Sequence, residues 1–293
     1  MKKKSLFVIV YLCLCASFVH ADDFLLTQGA LIARVWYFAA SANNVFAKDG
    51  TSSPIIPGLD DHPYAERSIV AFAQYGLSEK LTLFASVPMR RIFVHDSSYQ
   101  HISTGLADVT VGATYKLFDN FVVTSVTGMV NVPTPYPRDY APPLGAGQVD
   151  IAVAANASRK FDPVPADAQV SLGFRMRTGL YTSSVSSNPM LNADFTDNAS
   201  YANELFWSLE GGWTFFDQLR VHASLRGLAS MRSDGSTWTI NRIPTTQSWN
   251  KLGGGVSFKL MTHYQVFADM YSTISGGNTA GTIDILLGAG VEF

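Results

Sequence analysis

The last thirteen residues, Gly281–Phe293, read GTIDILLGAGVEF and alternate strictly. Ile283, Ile285, Leu287, Ala289, Val291 and Phe293 fall on one side, and Thr282, Asp284, Leu286, Gly288, Gly290 and Glu292 on the other. A period of two belongs to a β-strand, whose successive side chains point to opposite faces. One face here is wholly apolar and the other mostly polar. The fold must therefore give the strand an apolar neighbour on one side and a wet one on the other.

The same pattern recurs along the chain. Val109, Val111, Ala113, Tyr115 and Leu117 oppose Asp108, Thr110, Gly112, Thr114 and Lys116 within Leu106–Leu117. Comparable segments start near Val149, Val170, Glu204, Leu219 and Lys251, and weaker ones cover Leu31–Ser41, Ser68–Gly76, Leu81–Val94, Phe121–Val132 and Tyr264–Ser275. With the terminal segment this predicts about twelve strands. The connections alternate in length, and only the last, around Gly276–Ala280, breaks the long half of the rhythm. Gly76–Lys80, Phe118–Asn120, Lys160–Ala166, Phe215–Gln218 and Met261–His263 are short; Asn43–Pro63, His95–Thr104, Pro133–Gly147, Thr182–Tyr201 and Ser233–Thr246 are long and rich in Pro, Gly, Asn and Ser. Short turns at one end and long loops at the other are the plan of an antiparallel transmembrane β-barrel. In lipid the sheet must close, because an open edge leaves backbone N–H and C=O groups unpaired at several kcal/mol each. Short turns in the periplasm place both termini there and require an even strand number. Phe118, Phe121, Phe161, Phe215, Phe216, Tyr264 and Phe293 cluster at the turn end, where an interfacial aromatic belt belongs. The competing fold, a soluble β-sandwich, has shorter strands and fewer outward apolar residues.

The amino-terminal stretch supports export. Lys2–Lys4 precede an apolar run from Leu6 to Val19 and the triplet Val19-His20-Ala21. This is the layout of a signal peptide spanning residues 1–21, leaving 22–293 as a single barrel domain. Cys13 and Cys15 both lie in that leader, so the remainder has no cysteine. Without the three lysines, 18 basic residues face 23 acidic ones, a net charge of about −5 that disfavours a nucleic-acid partner. Charged residues are 15% of the chain, below the ~25% of soluble domains, while mean hydropathy is only +0.12. Strands with one lipid face and one wet face produce that intermediate composition.

Three stretches resemble a family of outer-membrane proteins of the meta-pathway of phenol degradation. They are YGLSEKLTLFASVP (Tyr75–Pro88), GLADVTVGATYKLFD (Gly105–Asp119) and ISGGNTAGTIDILLGAGVEF (Ile274–Phe293). The resemblance implies an outer-membrane channel for small, often aromatic, compounds. The terminal strand also resembles those of bacterial outer-membrane barrels, in which a final aromatic such as Phe293 serves as an assembly signal. Outer-membrane lipid, the barrel-assembly machinery and a small-molecule solute are the partners this implies.

Twelve strands ~4.7 Å apart and tilted ~40° give a backbone diameter of roughly 24 Å, narrowed by side chains to roughly 12 Å. Inward residues near Leu106, Val149, Lys251 and Gly281 are mainly Gly, Ala, Ser and Thr, predicting a smooth wall. The strands from Val170 to Arg226 instead contribute Arg175, Arg177, Glu204, Glu210, Arg220, His222 and Arg226, predicting a charged one. These seven are the candidate lumen residues, as a cross-strand network that sets charge preference or as register pins. No catalytic set emerges: His222 points inward, and His62, His95, His101 and His263 lie in loops or turns. Asp60-Asp61-His62 is metal-compatible, yet three consecutive residues rarely converge on one ion. No cofactor or metal motif is present, and Gly253-Gly254-Gly255 precedes no helix that would make a phosphate loop. The leading expectation is a non-enzymatic passive channel in the bacterial outer membrane for small molecules, hydrophobic or aromatic ones among them. The alternatives are a closed barrel recognising partners through its long loops, and a lipid-modifying enzyme.

Overall fold

The computed structural model describes residues 25–55, 63–95, 100–136, 142, 144–181, 201–232 and 245–293. The leader, Asp60-Asp61-His62 and most of two long loops lie outside the described residues. All regular structure among the described residues is β: β1 (Leu31–Phe46), β2 (Ser52–Pro54), β3 (Tyr64–Ser78), β4 (Leu81–His95), β5 (Gln100–Leu106), β6 (Val109–Asp119) and β7 (Val123–Val132) form the first half. β8 (Gln148–Lys160), β9 (Ala166–Tyr181), β10 (Glu204–Phe215), β11 (Leu219–Ser230), β12 (Ser248–Lys259), β13 (Tyr264–Gly277) and β14 (Thr279–Glu292) form the second.

Apart from the short β2 and β5, each strand pairs antiparallel with the next one along the chain, and β14 returns to pair β1 from Ile32↔Glu292 to Phe46↔Thr279. The sheet is thus closed. β5 and β6 both pair with β4 and act as two halves of one stave, and β2 is a short addition to the upper end of β1. The result is a closed barrel of twelve staves. The first and last staves meet at the turn end, where Leu31 and Phe293 exchange two backbone hydrogen bonds.

The alternation read from the sequence sets the two faces. On β14, Ile283, Ile285 and Leu287 are exposed on the outside, while Thr282, Asp284 and Leu286 are buried inside. Ile69, Leu83, Val87, Met89, Val153, Leu172, Leu209 and Leu252 continue the outer apolar surface. An exposed apolar band around a whole molecule is untenable in water and belongs in lipid. Phe118, Phe121, Phe161, Phe215, Phe216, Tyr264 and Phe293 are all exposed at the turn end.

Several boundaries differ from the sequence reading. β1 runs on to Phe46, its upper inner face being apolar as well, with Phe38, Ala40, Ala42 and Val45 buried; β3 begins at Tyr64 and buries Glu66 and Ser68 on its upper inner face. The expected loop His95–Thr104 is mostly strand, since β5 starts at Gln100. The expected continuous strand Leu106–Leu117 is broken at Ala107-Asp108. Its partner β4 has Pro88 there, which has no N–H to give to the ladder, and pairing passes from Met89↔Leu106 to Ser86↔Thr110 around it.

Candidate functional site

The enclosed lumen is the candidate site, and the residues facing it fall into two walls. Arg175, Arg177, Glu204, Glu210, Arg220, His222 and Arg226 all point inward and are buried or nearly so. They form two separate knots. In the upper one, Glu204 on β10 accepts Arg175 Nη1 at 2.9 Å and Arg177 Nη1 at 3.3 Å, both from β9. Arg177 Nε also lies 3.2 Å from Asp150 Oδ1 on β8, and Gln247 Nε2 donates to Glu204 at 3.2 Å. In the lower knot, Arg220 on β11 grips Asp167 through two N–H···O bonds of 3.0 and 2.6 Å and reaches Glu210 at 3.0 Å. Arg226 Nη2 lies 3.6 Å from the other Glu210 oxygen and its guanidinium sits 4.1 Å over the Tyr271 ring. His222 Nε2 is 3.5 Å from Asp269 Oδ1. The upper knot sets two guanidiniums against two carboxylates, and the lower one two guanidiniums and His222 against three.

Sequence reasoning passed over Asp150, Asp167, Asp269 and the Lys251–Asp284 ion pair. Side-chain parity already placed Asp150, Lys251 and Asp284 inward. Asp167 lies just before the segment read as strand, and Asp269 lies in a weakly patterned one.

The expected smooth wall is occupied. Large inward side chains pack over glycines on the adjacent strand: Phe84 over Gly112, Phe206 over Gly173, Tyr271 over Gly253 and Phe267 over Gly288. A Cβ on Gly288 would stand 2.3 Å from Phe267 Cζ, so the missing side chain is what seats the ring. Glycine in these strands provides close packing for a neighbour rather than open bore.

A second wall, spanning β13, β14, β1, β3 and β4, carries an apolar cluster on the inside, beside buried polar groups such as the Arg90–Glu66 ion pair. Trp36, Phe38, Val70, Ile92, Val94, Tyr271 and Leu286 form one buried cluster, with Phe72 and Phe267 packed against it. Ring centroids run in a row, Phe267 to Trp36 at 6.4 Å, Trp36 to Phe72 at 5.8 Å and Phe72 to Phe84 at 6.3 Å. Such tilted and edge contacts suit the ring quadrupoles. No reading of the sequence had found this wall.

Both mouths are furnished. At the turn end, Leu25–Ala30 folds beneath the barrel: Leu26 is buried, its N–H donates to Thr82 Oγ1 at 2.8 Å, and Gly29 N–H donates to Gly76 O at 2.8 Å. Leu25 borders two cavities, one of about 650 Å³ that reaches Arg34, Asp167 and Arg220, and one of about 400 Å³ beside Lys116 and Asn156. Near the strand break, Tyr136 donates to Asp108, and Gly147 N–H donates to the Tyr136 hydroxyl at 2.9 Å. Burial and the adjacent carboxylate push the Tyr136 hydroxyl far above its ordinary pKa, so it stays a donor. Arg90 Nη1 ties the same loop down through Leu144 O at 3.2 Å. Among the described residues no cluster of His, Cys, Asp and Glu is placed to hold a metal ion.

No family model matches the sequence, and no curated protein matches it in a sequence search. The fold does have solved counterparts. The chain is similar to an outer-membrane channel from Pseudomonas putida F1, with a TM-score of 0.70 at 15% identity over 94% of this chain and 100% of that one. It is also similar to the translocator domain of the autotransporter NalP from Neisseria meningitidis, with a TM-score of 0.50 at 10% identity over 92% and 90% of the two chains. The NanC porin gives a TM-score of 0.50 at 6% identity over 88% and 98%. The likeness is one of fold, and that fold is the outer-membrane β-barrel.

Proposed function

We propose that this chain is a passive outer-membrane channel for small molecules, hydrophobic and aromatic ones among them, with its turns and both ends of the barrel chain in the periplasm. The observation that supports this most is the two-walled lumen. A row of aromatic rings faces an ion-paired wall inside a closed barrel, and a cavity of about 650 Å³ opens at the turn end. An apolar wall gives a flat solute a surface to slide along, while the paired charges hold the opposite strands and impose no large net charge. The full-length likeness to an outer-membrane channel is consistent with the same reading.

The closed-barrel alternative draws on the buried Leu26 and the Tyr136 loop, which occupy part of the two mouths. Planar-bilayer recording and liposome swelling with the purified barrel separate the two. The channel reading expects discrete conductance steps and influx of small neutral solutes. Tight vesicles and a flat current trace would replace it with the closed-barrel role. For a lipid-modifying enzyme, hydrolysis or acyl transfer on phospholipid vesicles is the corresponding assay, and the channel reading expects none.

A further inference from the structure

Arg67 on β3 and Arg91 on β4 stand directly opposite each other in the sheet. Their sequence neighbours Glu66, Ser68, Arg90 and Ile92 are buried inside, so both arginines point outward, and both are exposed. The outward row continues to Ala39 on one side and Thr104 on the other, so among the described residues no acidic side chain adjoins them in that row. No described side chain forms an ion pair, hydrogen bond or ring contact with either one. Directly opposed like charges repel and destabilise a sheet. Along the outer face of the described strands, the other charged groups, such as Arg159 and Asp119, lie at the turn end.

Their height matters. Arg67 lies eleven residues up β3 from Ser78 at the turn. At ~3.3 Å per residue and a tilt of ~40° that is ~28 Å, just above an apolar band ~25 Å tall. Below the pair the outer face of β3 and β4 is apolar: Ile69, Ala71, Ala73, Leu83, Ala85, Val87 and Met89. Above it come Phe93 and His95, whose rings are 6.4 Å apart, as befits the interface. Two unpaired guanidiniums at this level ask for a shared anion, and the planar fork of arginine matches phosphate oxygens two at a time.

We propose that Arg67 and Arg91 form a site on the outer wall for a phosphate group of a phosphorylated glycolipid in the outer leaflet. The site rests on the outer-membrane orientation given above, with the long loops outside. It stands apart from the lumen and serves to fix the barrel's depth and to recruit one lipid to the β3–β4 face.

The test is native mass spectrometry of the purified barrel in mild detergent, titrated with bis-phosphorylated lipid A. The Arg67→Gln, Arg91→Gln double variant should retain at least ~tenfold less lipid A, because two charge-assisted contacts are lost. The charge-preserving double variant, Arg67→Lys with Arg91→Lys, should retain an intermediate amount. Dephosphorylated lipid A should bind wild type as weakly as bis-phosphorylated lipid A binds the double Gln variant. Equal retention by wild type and double Gln variant would overturn the site. So would equal binding of the dephosphorylated lipid or of phosphatidylglycerol, and so would displacement by equimolar inorganic phosphate. Should the double variant fail to fold, as judged by heat-modifiable gel migration, Arg67→Gln and Arg91→Gln singly should each show a partial loss. Single-channel conductance of the variants should match wild type. Loss of the lipid result therefore leaves the channel reading standing, and an absent conductance leaves the lipid site standing.

Discussion

The two walls of the lumen solve one problem in opposite ways. On β13, β14, β1, β3 and β4 the inner face carries a cluster of rings and branched chains that exclude water from each other. On β9 to β11 it carries guanidiniums that pair with carboxylates. The apolar wall gains from area removed from water, about 25 cal/mol per Å². The charged wall gains little net energy over an apolar substitute but is costly to leave half-made. The apolar wall should therefore respond to lost volume, and the charged wall to a lost partner.

The largest effect is expected from Trp36→Ala. Trp36 is 5% exposed and touches Phe72 and Phe267, so truncation removes the centre of the aromatic row. Large-to-small changes of this kind cost about 4 kcal/mol. Urea unfolding of the barrel in lipid vesicles, followed by heat-modifiable gel migration, measures it. A loss under about 1 kcal/mol would mean that the wall is wet and loosely packed.

Next comes Glu204→Ala, which removes the shared acceptor of Arg175 and Arg177. Breaking a buried pair by one partner costs about 3 kcal/mol, because an uncompensated charge stays behind. Removing Arg175 together with Glu204, which leaves Arg177 paired with Asp150, should cost less than Glu204→Ala alone, which the same unfolding assay checks. Additive losses would show that the knot is a set of independent contacts. Recordings of Arg175→Ala with Arg177→Ala address function: a shifted ion selectivity assigns the upper knot to the conduction path, and an unchanged one leaves it as a register pin.

These walls were unequally legible in the sequence. The charged wall could be read because polar residues alternate there with apolar ones: Leu172, Phe174 and Met176 face lipid while Ser171, Arg175 and Arg177 face in. The twelve-stave count, the turn-end aromatics and the inward parity of the seven charged residues followed from that contrast. The apolar wall could not be read, because parity needs the two faces to differ. In LIARVWYFAAS both faces are apolar, so Trp36 and Phe38 looked no different from Val35 and Tyr37. Asp167 and Asp269 were missed for a related reason, lying in segments whose period was weak. The break at Ala107-Asp108 arises from Pro88 on the neighbouring strand and from Tyr136 28 residues away, and a local pattern holds neither.

The glycines give the finest test of how the walls are built. Gly112 and Gly128 lie on neighbouring strands one register position apart, since Gly112 pairs with Met129 and Ala113 with Gly128. Gly112 faces in, and a Cβ there would stand 2.4 Å from Phe84 Cζ and 2.5 Å from Gly128 O. Gly128 faces out, and a Cβ there meets nothing within 4 Å. Gly112→Ala should cost about 2 kcal/mol, as overpacking does. Gly128→Ala has the smallest expected effect and the opposite sign, a gain of about 0.5 kcal/mol from reduced backbone freedom in the unfolded chain. Both are read from urea midpoints at constant slope in the same vesicles. Were Gly112→Ala also neutral, Phe84 would have to leave the wall readily, and the seating of rings over glycine would no longer explain how the lumen keeps its bore. A neutral Gly112→Ala with an altered conductance would go further, placing the displaced ring in the path of the solute.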